Sequence, residues 1–458
     1  MSAYTSLRPF LWGAILLLGG LAYASDKEQA DSRHEPLPDP LTLEKALALA
    51  DEPHPDLQIA EARVRAAEAE LQGAQSDDDL DIYIEGAVGY VEPPDYALDQ
   101  TNDENRLKLS IDKTLYDFGR TSAASDAAAR QLSSTKMLYI SARQQRRLEI
   151  MRRFFDVVLA DMQFYRYNEE MAVEYVALDR LRDRRELNQV SDLDVLEQEA
   201  AFQRARTLRT QSQNHQRQTR ARLAFALNRP GELPSSVVPP ELPQLGQQLP
   251  EVDQLQMLAL KDNPRLKALR EQLEASLALI ENARAGNNPS LSGRLEAGNY
   301  SREREQTRYG EWRAELSIKV PLYDGNRTDA GVAREKARMF ETRSRLSKAE
   351  LDVRQQVLDL WLRLDTLKAE REQRQTEKSY RELYLDRSRA LYETEFKTDL
   401  GDSMVRYTEA ERNMIESDFE MALTWARLNA LLGQLDLDKP FAPPQNLLQK
   451  DESNEQAQ

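Results

Sequence analysis

The sequence predicts a mostly α-helical protein with a small β part, built from two copies of one unit that combines long coiled-coil helices with paired strands. Three observations support this prediction. Short motifs occur twice in the same order, two stretches of about 68 residues contain no proline, and short segments alternate apolar and polar residues. Helices of that length are typical of coiled coils and arrays, so we do not expect a compact globular domain.

The two copies are related by a spacing of about 207 residues. The clearest pair is LSIDKTLYDFGR at 109–120 and LSIKVPLYDGNR at 316–327. Three more pairs occur in the same order in both copies. HPDL at 54–57 matches NPRL at 263–266, SDLD at 191–194 matches TDLG at 398–401, and ARL occurs at 221–223 and at 426–428. We therefore predict a first repeat at 41–229, a second at 251–436, and between them a linker at 230–250 that is rich in Pro, Gln and Ser.

Each repeat has the same predicted order of elements. A short helix (43–50 or 255–260) precedes Pro55 or Pro264, where a helix of about 20 residues is expected to start, because proline is favoured in a helix's first turn. Two strands follow, then a helix of about 68 residues, a turn and a returning helix of about 36 residues. The two shorter helices together nearly equal the long one, which predicts that they stack end to end and antiparallel to it.

The alternating segments predict four strands of about 9 or 10 residues, the length of a tilted strand that crosses a bilayer. Their apolar phase predicts the lipid-facing residues, which are Leu109, Ile111, Leu316 and Ile318. Four strands with an apolar face leave unpaired edges in lipid, so several chains must share one barrel. A trimer would contribute 12 strands to that barrel, together with 12 helical rods.

The composition excludes several classes of protein. The chain has 458 residues, with 62 Lys+Arg, 78 Asp+Glu and a net charge of −16. A polytopic helical membrane protein needs repeated apolar runs of about 18 residues, and a nucleic-acid-binding protein needs clustered positive charge. Cysteine is absent, and the three histidines lie far apart in the sequence. We therefore expect no nucleic-acid partner, disulfide, metal site, cofactor or catalytic site.

The N-terminal segment is typical of a secretory signal peptide. Arg8 precedes an apolar or small run at 10–21, and Ala22-Tyr23-Ala24 fits a small-x-small cleavage site. The run of about 12 residues is too short to span a bilayer, although an uncleaved anchor is an alternative. We predict a signal peptide at 1–24, an N-terminal tail at 25–40 and a polar C-terminal tail at 437–458.

The turns between the long and the returning helices contain the candidate functional residues. The carboxylates are Asp192, Asp194, Asp399 and Asp402, and the neighbouring basic residues are Arg182, Arg184, Arg185 and Lys397. One interpretation is helix capping, because Ser191-x-x-Asp194 matches a capping box. The other is that a trimer brings the carboxylates together as a ring around a narrow mouth, where they favour cations and the basic residues hold the mouth shut.

A second feature of each repeat is the point where the two-residue alternation typical of a strand ends and the 3.6-residue hydrophobic periodicity of a helix begins. Tyr116-Asp117 and Tyr323-Asp324 are predicted to form equivalent strand-to-helix junctions. The aspartate is expected to cap the new helix, and the tyrosine to mark the membrane interface.

With these motifs in this order, the sequence resembles the TolC-type outer-membrane efflux protein family. The resemblance covers about residues 41–436 and includes the Leu-Tyr-Asp-x-x-Arg junctions at 115–120 and 322–327. It implies a homotrimer that forms a trimeric α/β barrel, in which a 12-stranded β-barrel in outer-membrane lipid is continued by a helical barrel in the periplasm. It also implies a function, an exit duct of a tripartite efflux or type I secretion system. It also implies two partners, a periplasmic adaptor and an inner-membrane pump.

Two other classes of function are weighed against this one. A periplasmic coiled-coil adaptor of an export pump also has a signal peptide and long helices. Such an adaptor is expected to have one helical hairpin between strand-rich domains, whereas this sequence has two copies with barrel-length strands. A secreted enzyme is not supported, because the sequence has no recognisable nucleophile, metal or phosphate motif.

Overall fold

A computed structural model describes residues 36–96, 100, 102, 105–232, 234–242, 249–300, 312–395 and 399–434. The predicted signal peptide and C-terminal tail lie outside the described residues, as do most of the N-terminal tail and part of the linker.

The first half contains α1 (Leu43–Ala48), α2 (Pro55–Ser76), β1 (Asp81–Ala87), β2 (Arg106–Tyr116), α3 (Arg120–Glu186) and α4 (Asp192–Ala226). The second half contains α5 (Val252–Asp262), α6 (Pro264–Arg284), β3 (Ser290–Tyr300), β4 (Trp312–Lys319), α7 (Arg327–Glu395) and α8 (Leu400–Leu431). The predicted fold class, mostly helical with a small sheet and two copies of one unit, is confirmed.

The helices begin where local chemistry favours a start. Proline occupies the first turn of both α2 and α6. In α2 the His54 Nδ1 atom accepts a hydrogen bond from the Asp56 backbone N–H at 3.2 Å. In α6 the Asn263 Oδ1 atom accepts from the Arg265 and Leu266 backbone N–H groups at 3.0 and 3.1 Å. These caps satisfy N–H groups that have no partner inside the helix.

The helices form one layer. The long helices α3 and α7 have 67 and 69 residues, so each extends about 100 Å. Both α2 and α4 pack along α3, both α6 and α8 pack along α7, and α3 also contacts α6 and α8. The layer therefore has α2 and α4 at one edge and α7 at the other. None of its helices, within the residues described, is long and apolar enough to cross a membrane.

The four strands form one antiparallel sheet in the order β1-β2-β3-β4. The strands β2 and β3 have 11 residues each, longer than predicted, whereas β1 has 7 and β4 has 8. The strand β1 ends at Ala87 because its partner there, Arg106, is the first residue of β2. The strand β4 ends shortly before Pro321, which has no N–H to donate to a ladder.

A buried belt surrounds the middle of the helical layer, where α1, α5 and parts of the linker pack against α3 and α7. Ile150 and Phe154 of α3 are fully buried, and Val357 of α7 lies in the same cluster. The Phe155 and Phe419 rings are stacked with centroids 4.2 Å apart. The belt therefore joins the two repeats through an apolar core.

Candidate functional site

All four residues predicted to face lipid lie on one face of the sheet. The register places Ile111 beside Ile82 and Leu295, and it places Leu109 beside Ile84 and Ala297. Leu316 and Ile318 are 66% and 69% exposed, Leu109 is 39% exposed, and Ile111 is half-buried. These side chains make a continuous apolar surface across four strands. Their orientation toward lipid stays a prediction.

The opposite face of the sheet contains paired charges. Lys108 Nζ lies 3.0 Å from Glu85 Oε2 and 3.6 Å from Glu296 Oε1, so it links three strands. Asp112 Oδ1 accepts a hydrogen bond from Arg294 Nε at 2.5 Å. A sheet with one exposed apolar face and one charged face is typical of β-barrels whose strands separate lipid from a water-filled lumen.

The structure places Tyr116-Asp117 and Tyr323-Asp324 between strand and helix. Tyr116 is the last residue of β2, and α3 begins at Arg120. Asp117 Oδ2 accepts from the Thr121 backbone N–H at 2.7 Å, and Asp324 Oδ2 accepts from the Thr328 N–H at 2.8 Å. Burial acts to raise the pKa of Asp117, but hydrogen bonds from Thr121 and nearby backbone N–H groups lower it by more. Both carboxylates accept an N–H group of the first helical turn, although each lies two residues before the N-cap position, which in α3 is Gly119.

The first helix tip is a capping box. Ser191 Oγ accepts from the Asp194 backbone N–H at 3.3 Å, and Asp194 Oδ2 accepts from the Ser191 backbone N–H at 2.9 Å. The hydrogen bond from the Ser191 hydroxyl holds the pKa of Asp194 below its ordinary value. The chain turns at Asn188, whose φ of 57° is one that asparagine tolerates. Capping therefore accounts for the position of Asp194.

The three basic residues of the first tip each act on a different carboxylate. Arg185 forms an ion pair with Asp192, which brings together two predicted residues. Arg182 instead lies 3.6 Å from Glu199 of α4. Arg184 acts on Asp194 through its charge, which lowers the pKa of that carboxylate.

The second tip differs from the first. Asp399 precedes α8 and accepts a hydrogen bond from the Tyr384 hydroxyl at 3.4 Å, and its side chain makes no capping bond. Asp402 Oδ2 accepts from Arg406 Nε at 2.7 Å. Arg406 was not among the predicted residues, although an Asp and an Arg four residues apart on a helix are a recognisable pair. Lys397 lies outside the described residues.

A seam between α3 and α8 was also missed. Thr408 Oγ1 donates to Glu169 Oε2 at 2.9 Å, and Arg166 lies 3.7 Å from Glu409. Next to them, α8 approaches α3 so closely that a Cβ atom on Gly401 would lie 2.6 Å from Val173 Cγ2. This seam holds the second hairpin against the first near the tips.

Comparisons with known proteins agree with this architecture. Residues 255–434 match the family model of the outer membrane efflux proteins. Protein CyaE of Bordetella pertussis is 26% identical over 294 residues, which are 63% of this chain and 61% of CyaE. The chain thus spans about three fifths of the length of that curated relative.

Solved structures extend the likeness to most of the chain. The CmeC outer membrane channel of Campylobacter jejuni superposes with a TM-score of 0.69 and 14% identity, over 90% of this chain and 89% of CmeC. The open state of the MtrE outer membrane channel of Neisseria gonorrhoeae gives 0.67 and 18%, over 87% of this chain and 90% of MtrE. The resemblance to the TolC-type outer-membrane efflux protein family is therefore confirmed, in sequence over most of the second repeat and in fold over both.

Proposed function

We propose that three copies of this chain form a passive duct in the outer membrane, which links the periplasm to the exterior and has no enzymatic activity. The main support for this proposal comes from the structure of the sheet. It has an apolar exposed face and a charge-paired face, and among the described residues β1 and β4 each pair on one side only. Unpaired strand edges are not stable in lipid, so β1 of one copy pairs with β4 of the next.

The helical layer supports closure by the same neighbours. Its two edges both expose large apolar side chains. Ile59 of α2 and Leu196 of α4 are 53% and 63% exposed at one edge, while Phe340 and Leu351 of α7 are 67% and 66% exposed at the other. Contact between these edges in adjacent copies buries apolar surface on both sides. Three copies then form a tunnel of about 100 Å below a barrel of 12 strands.

The duct serves a tripartite efflux or type I secretion system in this proposal. The helix tips at its far end expose Leu187 and Leu193, which are 68% and 74% accessible to solvent. Exposed apolar residues beside charged ones are typical of surfaces that bind another protein. A periplasmic adaptor docks at these tips and connects the duct to an inner-membrane pump.

Fractionation and conductance test this function. We expect the full-length protein in the outer-membrane fraction as a trimer that resists heat in detergent, and we expect discrete conductance steps when the trimer is added to a planar bilayer. A protein that stays in the soluble periplasmic fraction and produces no conductance would contradict the duct and favour the adaptor alternative.

A separate prediction concerns the proposed narrow mouth of the duct, which the helix tips of three copies form. Arg185→Gln and Lys397→Gln are expected to raise conductance, because they remove positive charge that offsets the crowded carboxylates in a trimer. Asp194→Asn and Asp402→Asn are expected to weaken block by multivalent cations. The measurement is single-channel conductance in a planar bilayer, with and without a trivalent cation.

Two control variants distinguish a role of Asp194 at the mouth from its role in helix capping. Ser191→Ala removes the hydroxyl of the capping box but keeps the Asp194 charge, so block by cations should be unchanged. Arg345→Gln removes an exposed charge in the first third of α7, far from the helix tips, and should leave conductance unchanged. If Asp194→Asn behaves like Ser191→Ala, the carboxylate is a structural cap and the gate lies elsewhere.

A further inference from the structure

Each repeat contains a cavity at the joint where the returning helix ends and the proline-started helix begins. The first, of about 600 Å³, lies between the end of α4, the start of α2 and the side of α3. The second, of about 390 Å³, includes the end of α8, the start of α6 and the side of α7. The lining residues correspond under the repeat spacing: Arg146 with Val353, Arg153 with Leu360, Arg222 with Arg427. The two cavities are copies of one structural feature.

The two cavities differ in the residues that line one wall. The second cavity is lined there by Val353 and Leu360, and Val353 is 4% exposed within the buried belt. In the first cavity the same positions are Arg146 and Arg153. Arg146 is nearly as buried as its valine counterpart, at 7% exposure. A guanidinium group thus occupies a position that is almost fully buried.

Arg146 is not neutralised by a carboxylate of the described residues. Its Nε donates to the Ala50 carbonyl oxygen at 2.7 Å, while its buried Nη2 has no hydrogen-bond partner among the residues described. Burial lowers the pKa of Arg146, and the charges of Asp56, Asp51 and Glu52 only partly oppose this. A buried cation without a close anion is costly, because desolvation is not repaid.

The nearby carboxylates have other partners. Asp51 lies 2.8 Å from Arg143 and 2.5 Å from Arg147. Glu149 accepts from Arg153 at 2.6 Å. The Asp56 side chain is 81% exposed. His54 Nδ1 already accepts the Asp56 backbone N–H, so His54 acts as a cap and does not contribute a ligand.

We propose that the first cavity is a binding site for a small oxyanion, a carboxylate or phosphate group, held by the Arg146 and Arg222 guanidinium groups. Arg222 lies at the same cavity on α4, is exposed, and has no ion pair among the described residues. Guanidinium groups bind carboxylate and phosphate oxygens with two parallel hydrogen bonds, which suits one buried and one accessible arginine. The second cavity, with Val353 and Leu360 in its wall, does not share this site.

Thermal unfolding of the purified full-length trimer tests the proposal. The probes are inorganic phosphate and citrate, added at constant ionic strength against chloride, and the two probes distinguish a phosphate from a carboxylate ligand. We expect Tm to rise and saturate with at least one of them, because a ligand of the folded state stabilises it. Arg146→Val, which installs the residue of the second repeat, should abolish the rise and leave Tm without ligand at or above that of the parent.

Two further variants keep the test decisive. Arg222→Gln, on the exposed side, should shift saturation to at least tenfold higher concentration without changing Tm in chloride. Arg427→Gln, the matched position in the second cavity, should behave like the parent. A parent without a saturable response, or an equal response in the parent and in Arg222→Gln, would overturn the proposal. Neither result would affect the proposed duct, which conductance measures independently.

Discussion

Leu316→Arg is expected to destabilise the assembled protein by about 2–4 kcal/mol, the cost of an arginine on the lipid face near the bilayer midplane. Leu316 is 66% exposed, lies in β4 opposite Gly293, and belongs to the apolar face of the sheet. The loss should appear as less heat-resistant trimer in the outer-membrane fraction and as assembled protein that unfolds at lower urea concentration.

The next residue provides the control. Ser317 pairs with Ser292 and lies on the charged face, because successive side chains of a strand point to opposite sides. Ser317→Arg introduces the same side chain one position away and should assemble nearly as well as the parent. Equal assembly of the two variants would contradict the assignment of the lipid-facing phase.

Gly433→Ala is expected to have an effect of similar size on the helical layer. Gly433 ends α8 with a φ of 67°, a conformation that costs a residue with a Cβ about 1–2 kcal/mol. That Cβ would also lie 2.5 Å from the Asp262 carbonyl oxygen, so the backbone has to move at an additional cost of about 1–3 kcal/mol. Urea unfolding followed by helical circular dichroism measures the sum.

Gly325→Ala is the matched control for this prediction. Its φ is 68°, and no atom lies within 4 Å of the added Cβ, so only the conformational cost remains. In the first repeat the position of Gly433 is occupied by Asn228, which has a φ of 57° and whose Nδ2 donates to the Pro53 carbonyl oxygen at 3.0 Å. If both alanine variants lose the same stability, the contact between Gly433 and Asp262 is not tight.

Much of the fold follows from local signals. Proline at 55 and 264 gives the first residues of α2 and α6, because the ring fixes a helical φ and the missing N–H is not needed there. The two predicted helices of about 68 residues correspond to α3 and α7, which have 67 and 69 residues. The glycine and asparagine residues beside the ends of these helices adopt positive φ, which ordinary residues avoid.

Features that depend on distant neighbours were not predictable in the same way. On α3 both members of two adjacent pairs are buried, Ile150 with Met151 and Phe154 with Phe155, which a single stripe at helical spacing does not predict. The helix contacts neighbours on several sides, so its buried surface is wider than one stripe. Arg146 belongs to that wider surface, and a charged residue gives no sequence signal of burial. The partners of the tip residues likewise depend on which side chains the turns bring together.

The pairing of β2 with β3 has a consequence for the order of folding. It joins Arg106 to Tyr300, residues nearly 200 positions apart, whereas each helical hairpin is built from neighbouring segments. Contacts close in sequence form early, and distant ones wait for the chain between them to be organised. We therefore expect the helical hairpins to form first and the pairing of β2 with β3, which completes the sheet, to form last. For the proposed duct this order means that the chain crosses the periplasm as a helical intermediate, and that its apolar sheet is completed only in contact with lipid and with neighbouring copies.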